Sequence, residues 1–241
     1  MRVGHAPECT IPATFPRITA VVTAASLLAA GGCGSPPPDA TRLLAQTKAR
    51  LDATSALHFE LTSRDVQGTG PLITGGSGDA QRPDRFSGTL AVKLSGFAVS
   101  IDVVSVGGVF YVKLPTDTGF TPTDPAAYGF GDPALFLDPK RGLSSLLLAC
   151  RSSAVRGDDR YNGELLHEVS CTLPGRPVAS LLTSADPGRD VDATFGIAAG
   201  GGQLRRVVLI GPFFSKRTVS TFTVVLDRYG ENVSIAAPTT G

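Results

Sequence analysis

The stretch FSGTLAVKLSGFAVSIDVV, residues 86–104, alternates apolar side chains with small or polar ones on both sides of a short turn, LSG. Side chains two residues apart in an extended strand point to the same face of a sheet. The stretch therefore predicts an antiparallel hairpin with one apolar face. That face comprises Phe86, Gly88, Leu90, Val92, Leu94, Phe97, Val99, Ile101 and Val103.

The period of two recurs before and after this hairpin, and we predict eight to ten antiparallel strands. The other predicted strands span residues 57–63, 107–114, 165–173, 192–199, 204–211, 218–227 and 232–236. Helical spacing appears in three segments. The first covers residues 39–56, with Asp39 or Thr41 as its N-cap. The second, residues 132–153, predicts two short helices or one with a bent entry, and residues 177–186 predict a short helix.

Strands and helices that are segregated along the chain predict an α+β protein. A single antiparallel sheet of this size should be strongly curved. Helices on its concave face would then enclose one apolar interior, which the residues alone allow to be either packed or hollow.

The N-terminal segment has the order of a bacterial export signal. Arg2 and Arg17 precede thirteen uncharged residues from Ile18 to Ala30, and small residues then lead to Cys33. The run is too short to span a membrane. The cysteine after small residues resembles a lipobox, although Ala30 stands where leucine is usual. We predict a signal peptide in residues 1–32, lipidation of Cys33 and a proline-rich tether in residues 33–40. The alternative is an ordinary secreted protein with a spare Cys33.

Cys150 and Cys171 are then the two cysteines left in the folded part, and in an oxidising compartment they should form a disulfide. We expect no metal site, because His58 and His167 make no spaced cluster with the cysteines. Removal of residues 1–32 leaves equal numbers of acidic and basic side chains, and no basic stripe is present. Nucleic acid is therefore not an expected partner.

Catalytic and cofactor motifs are missing from the chain, so we expect neither an enzyme nor a cofactor. The string GGSGD breaks the G-x-S-x-G pattern at Asp79, and neither H-E-x-x-H nor a phosphate loop occurs. The acidic pairs Asp158 with Asp159 and Asp190 with Asp192 lie beside glycine and arginine, which favours solvated turns over paired catalysis.

Several strings occur in an order that resembles the mycobacterial LppX, LprA, LprF and LprG lipoprotein family. They are AYGFGDPALFLDPKRGLSSLL, GGVFYVKL, VRGDDRYNGELLHEVS and YGENVSIAAP, and the likeness runs from about Thr41 to Pro238. The resemblance implies a half-barrel sheet around helices, with a hydrophobic cavity for the acyl chains of lipids or glycolipids. It also implies transport from the inner membrane towards the outer envelope, beside a membrane lipid exporter.

The chain departs from the family pattern at two positions. Gly196 stands where relatives tend to have tryptophan in a late strand, and Tyr229 replaces the tryptophan of a terminal Trp-Gly pair. We do not associate the Cys150 and Cys171 pair with the whole family, so it would stiffen a cavity that other members leave mobile.

If the resemblance holds, the inward-facing apolar residues of the predicted domain, residues 41–238, are candidates for lining the cavity. The alternative is that they pack as an ordinary core. Lys140 and Arg141 would meet an anionic headgroup at the cavity mouth or form a solvated turn. The candidate walls are Leu90, Val92, Leu94, Val99, Ile101, Val103, Val109, Tyr111, Leu143, Leu146, Leu147, Val169, Phe195, Ile197, Val208 and Ile210.

Two functions remain open from the sequence. The first is an envelope lipoprotein, held on the outer face of the cell membrane by acyl chains on Cys33, that carries multiply acylated lipids or glycolipids. The second is a surface lipoprotein with a solid domain that docks a protein partner in the envelope.

Overall fold

The structure, a computed structural model, describes residues 38–129, 131–215 and 217–240. These residues form one compact unit. The predicted signal peptide, the lipidation of Cys33 and most of the predicted tether lie outside the described residues.

Eleven strands form one sheet within the described ranges, and every neighbouring pair is antiparallel. The strands stand in the order β6-β5-β4-β3-β2-β1-β11-β10-β9-β8-β7. Two meanders, β1 to β6 and β7 to β11, therefore meet at the pair β1 and β11. The strands are β1 Ala56–Arg64, β2 Leu72–Gln81, β3 Arg85–Leu94, β4 Phe97–Val106, β5 Val109–Lys113, β6 Thr121–Thr123, β7 Arg151–Tyr161, β8 Glu164–Leu173, β9 Val191–Ala198, β10 Leu204–Gly211 and β11 Ser220–Asp227.

Three α-helices cover the sheet: α1 Ala40–Ala53, α2 Leu143–Ala149 and α3 Gly175–Leu181. Two short 3₁₀ helices, η1 Pro125–Tyr128 and η2 Pro133–Leu137, precede α2. In α1 the Asp39 carboxylate accepts a hydrogen bond from the Arg42 N–H at 2.7 Å, so Asp39 is the N-cap. In the part of the chain described here, no helix has both the length and the apolar character that crossing a membrane requires.

The hairpin of residues 86–104 has the register that its alternation predicts. Leu90 pairs with Ile101, and Val92 pairs with Val99. Its turn residue Gly96 has a φ of +90°, a left-handed conformation that glycine adopts without a steric penalty. The apolar sides of this and the other strands form one inner face, which the helices cover, so the α+β prediction with a single antiparallel sheet is confirmed.

Three strands of the structure were not predicted from the sequence, and one predicted strand does not form. Strand β2 was missed because Gly75, Gly76 and Gly78 supply no side chains to an alternating pattern. Strands β6 and β7 were missed because they are largely exposed. Asp158 and Asp159 consequently lie in β7 rather than in a turn, whereas residues 232–236 form no strand.

In β5 the predicted inward residues are wrong by one position. Phe110 and Val112 point inward and are buried, whereas Tyr111 lies on the outer face and Val109 is 40% exposed. The run VFYV is apolar at every position, so its pattern could not indicate which alternate side chains face the interior.

In β10 a bulge reverses the predicted alternation. Leu204 pairs with Ile197 and Arg206 pairs with Gly196, so Arg205 is an extra residue. Beyond the bulge Val207 and Leu209 face inward. Val208 and Ile210, two of the predicted wall residues, lie on the outer face.

The tyrosine that replaces the second family tryptophan stabilises this bulge. The Tyr229 hydroxyl donates a hydrogen bond to the carbonyl of Leu204, and the guanidinium carbon of Arg205 lies 5.4 Å from the centre of the Tyr229 ring. Burial raises the pKa of the Tyr229 hydroxyl above its usual range, although the Arg205 charge opposes this. The hydroxyl therefore stays a donor at alkaline pH.

Replacing Tyr229 by phenylalanine should lower the free energy of unfolding by about 1–3 kcal/mol, because it leaves the Leu204 carbonyl without this donor. Stability from a raised pKa is complete below the unfolded-state pKa and is lost above it, so the wild type should lose stability above about pH 10. The difference between the two proteins should therefore shrink in alkali. Urea unfolding at neutral and alkaline pH measures both effects. Tyr111→Phe on the outer face is the matched control, and an equal loss in the control would contradict the assignment.

Cys150 and Cys171 form the predicted disulfide. Cys150 directly follows α2, and Cys171 lies on the inner face of β8 beside Val169. The bond therefore fixes the end of α2 to the sheet.

Removal of the disulfide in the double variant Cys150→Ser and Cys171→Ser should lower the free energy of unfolding by about 3 kcal/mol, the chain-entropy value for a loop of this length. The two cysteines are 21 residues apart. Urea unfolding of the wild type with and without reductant gives the comparison. Reductant should shift the wild type to the stability of the double variant and leave the variant unchanged. A reductant effect of equal size on both proteins would show that the loss has another cause.

Candidate functional site

A cavity of about 150 Å³ lies between the helical cover and the inner face of the sheet. The side chains around it are almost all apolar. From the sheet they are Phe59, Leu61, Ile73, Phe86, Leu90, Leu209, Phe222 and Val224, and from the cover Pro133, Phe136, Leu143, Leu146, Val178, Leu181 and Leu182. Gly131 and Asp132 complete the lining.

Two glycines make room for the aromatic part of this lining. Gly78 of β2 and Gly88 of β3 are directly opposite each other on the inner face. The Phe59 ring packs beside them, with its centre 5.2 Å from that of Phe86 and 5.5 Å from that of Phe136. A β-carbon on Gly78 would stand 3.1 Å from the Phe59 ring, so larger residues here would displace the rings.

Asp132 is the one carboxylate of the lining, and its Oδ1 atom accepts two hydrogen bonds. Oδ1 accepts hydrogen bonds from the Ser105 hydroxyl at 2.7 Å and from the Ala134 N–H at 2.9 Å. It therefore caps η2 and connects it to β4. A carboxylate used in this way serves structure, and the remaining lining offers an apolar surface without a group for chemistry.

The exposure of the lining residues indicates where the cavity reaches the surface. Its deep part is buried and includes Phe59, Leu90, Leu146 and Val178. A second set of lining residues is partly exposed: Leu61, Gly131, Asp132, Pro133, Phe136, Leu181, Leu182, Leu209 and Val224. The mouth therefore lies between strands β1, β10 and β11 and the part of the cover formed by residues 131–136 and the end of α3.

Three of the sixteen predicted wall residues line this cavity: Leu90, Leu143 and Leu146. Nine others pack in the core around it. They are Val92, Leu94, Val99, Ile101, Val103, Leu147, Val169, Phe195 and Ile197. The remaining four, Val109, Tyr111, Val208 and Ile210, do not face the interior, for the reasons given for β5 and β10.

Most of the lining was missed from the sequence. Alternation identifies the inward side of β1 and β11, and residues 177–186 predict the helix that carries Val178 and Leu181. Which inward residues border empty space was not predictable, because alternation does not distinguish a packed neighbour from a gap.

The model of the family described as "LppX_LprAFG lipoprotein" matches residues 39–235. The chain belongs to this family. A curated relative within it is the lipoarabinomannan carrier protein LprG. The LprG chains of Mycobacterium tuberculosis and Mycobacterium bovis are 27% identical to this chain over 230 residues, which covers 92% of this chain and 93% of theirs.

Two solved structures share the fold. LprF from Mycobacterium bovis superposes with a TM-score of 0.68 at 19% identity, over 86% of this chain and 100% of LprF. LppX from Mycobacterium tuberculosis superposes with a TM-score of 0.60 at 17% identity, over 83% of this chain and 100% of LppX. The predicted LppX, LprA, LprF and LprG family and its half-barrel fold are thus confirmed.

The position of the first family tryptophan does not border the cavity in this member. Gly196 lies on the outer face, where a β-carbon would stand 2.9 Å from Glu168 Oε1 and 3.3 Å from the Arg206 β-carbon. Arg206 bonds Glu168 at 2.9 Å and Asp159 at 2.7 Å. Its side-chain hydrogen bond lowers the pKa of Asp159. This ion network takes the space beside Gly196, so the glycine does not shape the cavity.

Lys140 and Arg141 do not line the cavity but lie in a surface depression with Arg176 on the outer side of α2 and α3. Arg141 pairs with Asp138 at 3.6 Å. Burial opposes ionisation of Asp138, but the N–H groups of Lys140 and Arg141 and the Arg141 charge outweigh it and lower its pKa. Across the described ranges, no three His, Cys, Asp or Glu side chains are grouped as a metal ion would require.

Proposed function

We propose that this protein is an envelope lipoprotein that binds acyl chains of multiply acylated lipids or glycolipids in its cavity. It carries them from the inner membrane towards the outer envelope, in the neighbourhood of a membrane lipid exporter. Acyl chains on Cys33 hold it to the outer face of the cell membrane by the tether of residues 33–40, and residues 41–238 are the lipid-binding domain.

The apolar lining of the cavity is the observation that carries this proposal. An apolar cavity of about 150 Å³ stays dry and binds small hydrocarbons. Each methylene moved from water into such a site contributes about 0.8 kcal/mol. The family supports the same function, since its member LprG is named lipoarabinomannan carrier protein.

The size of the cavity requires the cover to move when lipid enters. Sites for whole ligands have volumes of about 300–1,000 Å³, so a cavity of about 150 Å³ accepts part of one acyl chain. Two or three chains need more space between the cover and the sheet.

The contacts of the helical cover identify the part that moves. The disulfide fixes α2 to β8, and the Ser144 hydroxyl of α2 donates to the Asp52 carboxylate of α1 at 2.6 Å. Lys48 of α1 also donates to the Pro139 carbonyl, just before α2, at 2.8 Å. Helix α3 is attached instead to the segment before η2, where the Gly131 N–H donates to the Leu181 carbonyl at 3.2 Å. In our proposal α2 stays in place, as does η2, which Asp132 connects to β4, and α3 moves away from the sheet.

The amount of lipid recovered from the protein should depend on the side chain at position 209, on the inner face of β10. Residues 34–241, which contain the compact unit, are expressed in a related host and extracted with organic solvent for mass spectrometry. We expect multiply acylated lipid in about equimolar amount. Leu209→Trp fills space equal to about three methylenes, so lipid affinity should fall by about 2.4 kcal/mol, or roughly 50-fold.

Ile210→Trp is the matched control, because residue 210 is next to Leu209 in β10 but faces outward. It should retain lipid at the wild-type level. Equal loss in both variants would indicate general damage rather than a filled cavity. If the wild type yields no lipid and takes up no added glycolipid, the carrier function is wrong, and the second function, docking of an envelope protein, replaces it.

A further inference from the structure

Among the described residues, the large apolar side chains with the greatest exposure lie at one end of the sheet. The antiparallel order brings the connections 65–71, 95–96 and 212–219 to the same end, together with the beginning of β7. We call this the tether end. The opposite end, the far end, carries the turns 82–84, 107–108 and 162–163.

Three large apolar side chains at the tether end are more than half exposed. Phe97, beside the turn between β3 and β4, is 75% exposed; Leu148, on the last turn of α2, is 60% exposed; and Val219, just before β11, is 54% exposed. The exposed apolar residues at the far end, Val109 and Leu165, are 40% and 36% exposed. The largest exposures of apolar side chains among the described residues thus all fall at the tether end, spread over the start of β4, the last turn of α2 and the residue before β11.

Helix α1 shows which end lies nearer to the membrane anchor. It begins beside β7, where the Thr41 and Ser153 hydroxyls are 3.5 Å apart. It ends at the far end, where Arg82 Nε donates to the Thr54 carbonyl at 2.7 Å. The chain therefore enters the domain at the tether end.

The length of the chain before α1 limits the distance between this end and a membrane. Six peptide steps separate Cys33 from Asp39, and at about 3.3–3.6 Å each they span at most about 20 Å. Helix α1 has 14 residues, so at about 1.5 Å each the far end is about 20 Å further away. An acylated Cys33 thus keeps the start of α1, and with it the tether end, within about 20 Å of the bilayer.

The side chains next to the three apolar residues suit a lipid interface. Lys93 pairs with Ala98 next to Phe97, and Arg151 follows Leu148 by three residues. Arg217 precedes Val219 by two residues, and all three cations are exposed. Apolar side chains flanked by cations are typical of surfaces that enter the headgroup region of membranes.

We propose that Phe97, Leu148 and Val219 insert into the surface of the bilayer that holds the acylated Cys33. This inference rests on the proposed function, because it requires the lipid anchor. Asp65 also lies at this end, so the apolar side chains rather than net positive charge make the contact.

The orientation gives the cavity a direct route to its cargo. Leu61 and Leu209, two partly exposed residues of the cavity mouth, lie in the halves of β1 and β10 that point to the tether end. With the tether end against the bilayer, an acyl chain passes from the membrane towards the mouth with little exposure to water.

The chain contains no tryptophan, so a single introduced tryptophan reports its own surroundings. Full-length acylated Phe97→Trp is reconstituted into vesicles with and without phospholipids brominated on their acyl chains. Acylated Leu165→Trp, at the far end, is the matched control. We expect brominated lipid to remove most of the emission of tryptophan 97 and none of that of tryptophan 165. Emission of tryptophan 97 should also shift to shorter wavelength on reconstitution.

Three results would overturn the proposal: quenching of neither tryptophan, equal quenching of both, or quenching of tryptophan 165 alone. Val219→Trp provides a second probe at the tether end if Phe97→Trp does not fold by circular dichroism. Solvent extraction of the same samples separates this proposal from the carrier function. If lipid is recovered but tryptophan 97 is not quenched, the membrane contact is wrong and the carrier function stands. If tryptophan 97 is quenched but the protein yields no lipid and takes up none that is added, the membrane contact stands and the carrier function is wrong.

Discussion

The pairing of β1 with β11 is the contact on which the rest of the structure depends. It joins the two meanders into one sheet and places Leu61 opposite Val224 and Phe59 opposite Leu226. The cavity lies over this junction, since both strands contribute to its lining. Because the two strands are far apart in the chain, their pairing carries a high loop-closure entropy that the apolar inner face must offset.

Apolar residues on the inner face of the sheet form both the packed core and the lining of the cavity. Away from the cavity most apolar side chains are fully packed, as in any protein interior. Beneath α2 and α3 the apolar side chains of the cavity lining leave space instead. Binding capacity in this fold is thus a local deficit of packing, which costs stability and is tolerated because the surrounding sheet and the disulfide hold the cover in place.

The helical cover and the two ends of the sheet are each asymmetric. One side of the cover is fixed through Cys150 and Lys48, whereas α3 is attached to the segment before η2. The mouth, the exposed Phe97 and the start of α1 all lie towards the same end of the sheet. In the proposed function, the membrane that anchors this domain is also the membrane that supplies its cargo.

The sequence by itself determined the elements with a clear period: the hairpin of residues 86–104, helix α1 and its cap, the α+β class and the cysteine pair. These follow from local spacing and from the number of available cysteines. Only the tertiary structure decided the inward sides of β5 and β10, the glycine-rich strand β2 and the residues that border the cavity. In the uniformly apolar run of β5, the sequence does not show which alternate side chains face inward. In β10 the bulge at Arg205 exchanges the inward and outward positions, and in β2 the glycines have no side chains to form an alternating pattern. Empty space depends on how distant elements meet, so no local pattern records it.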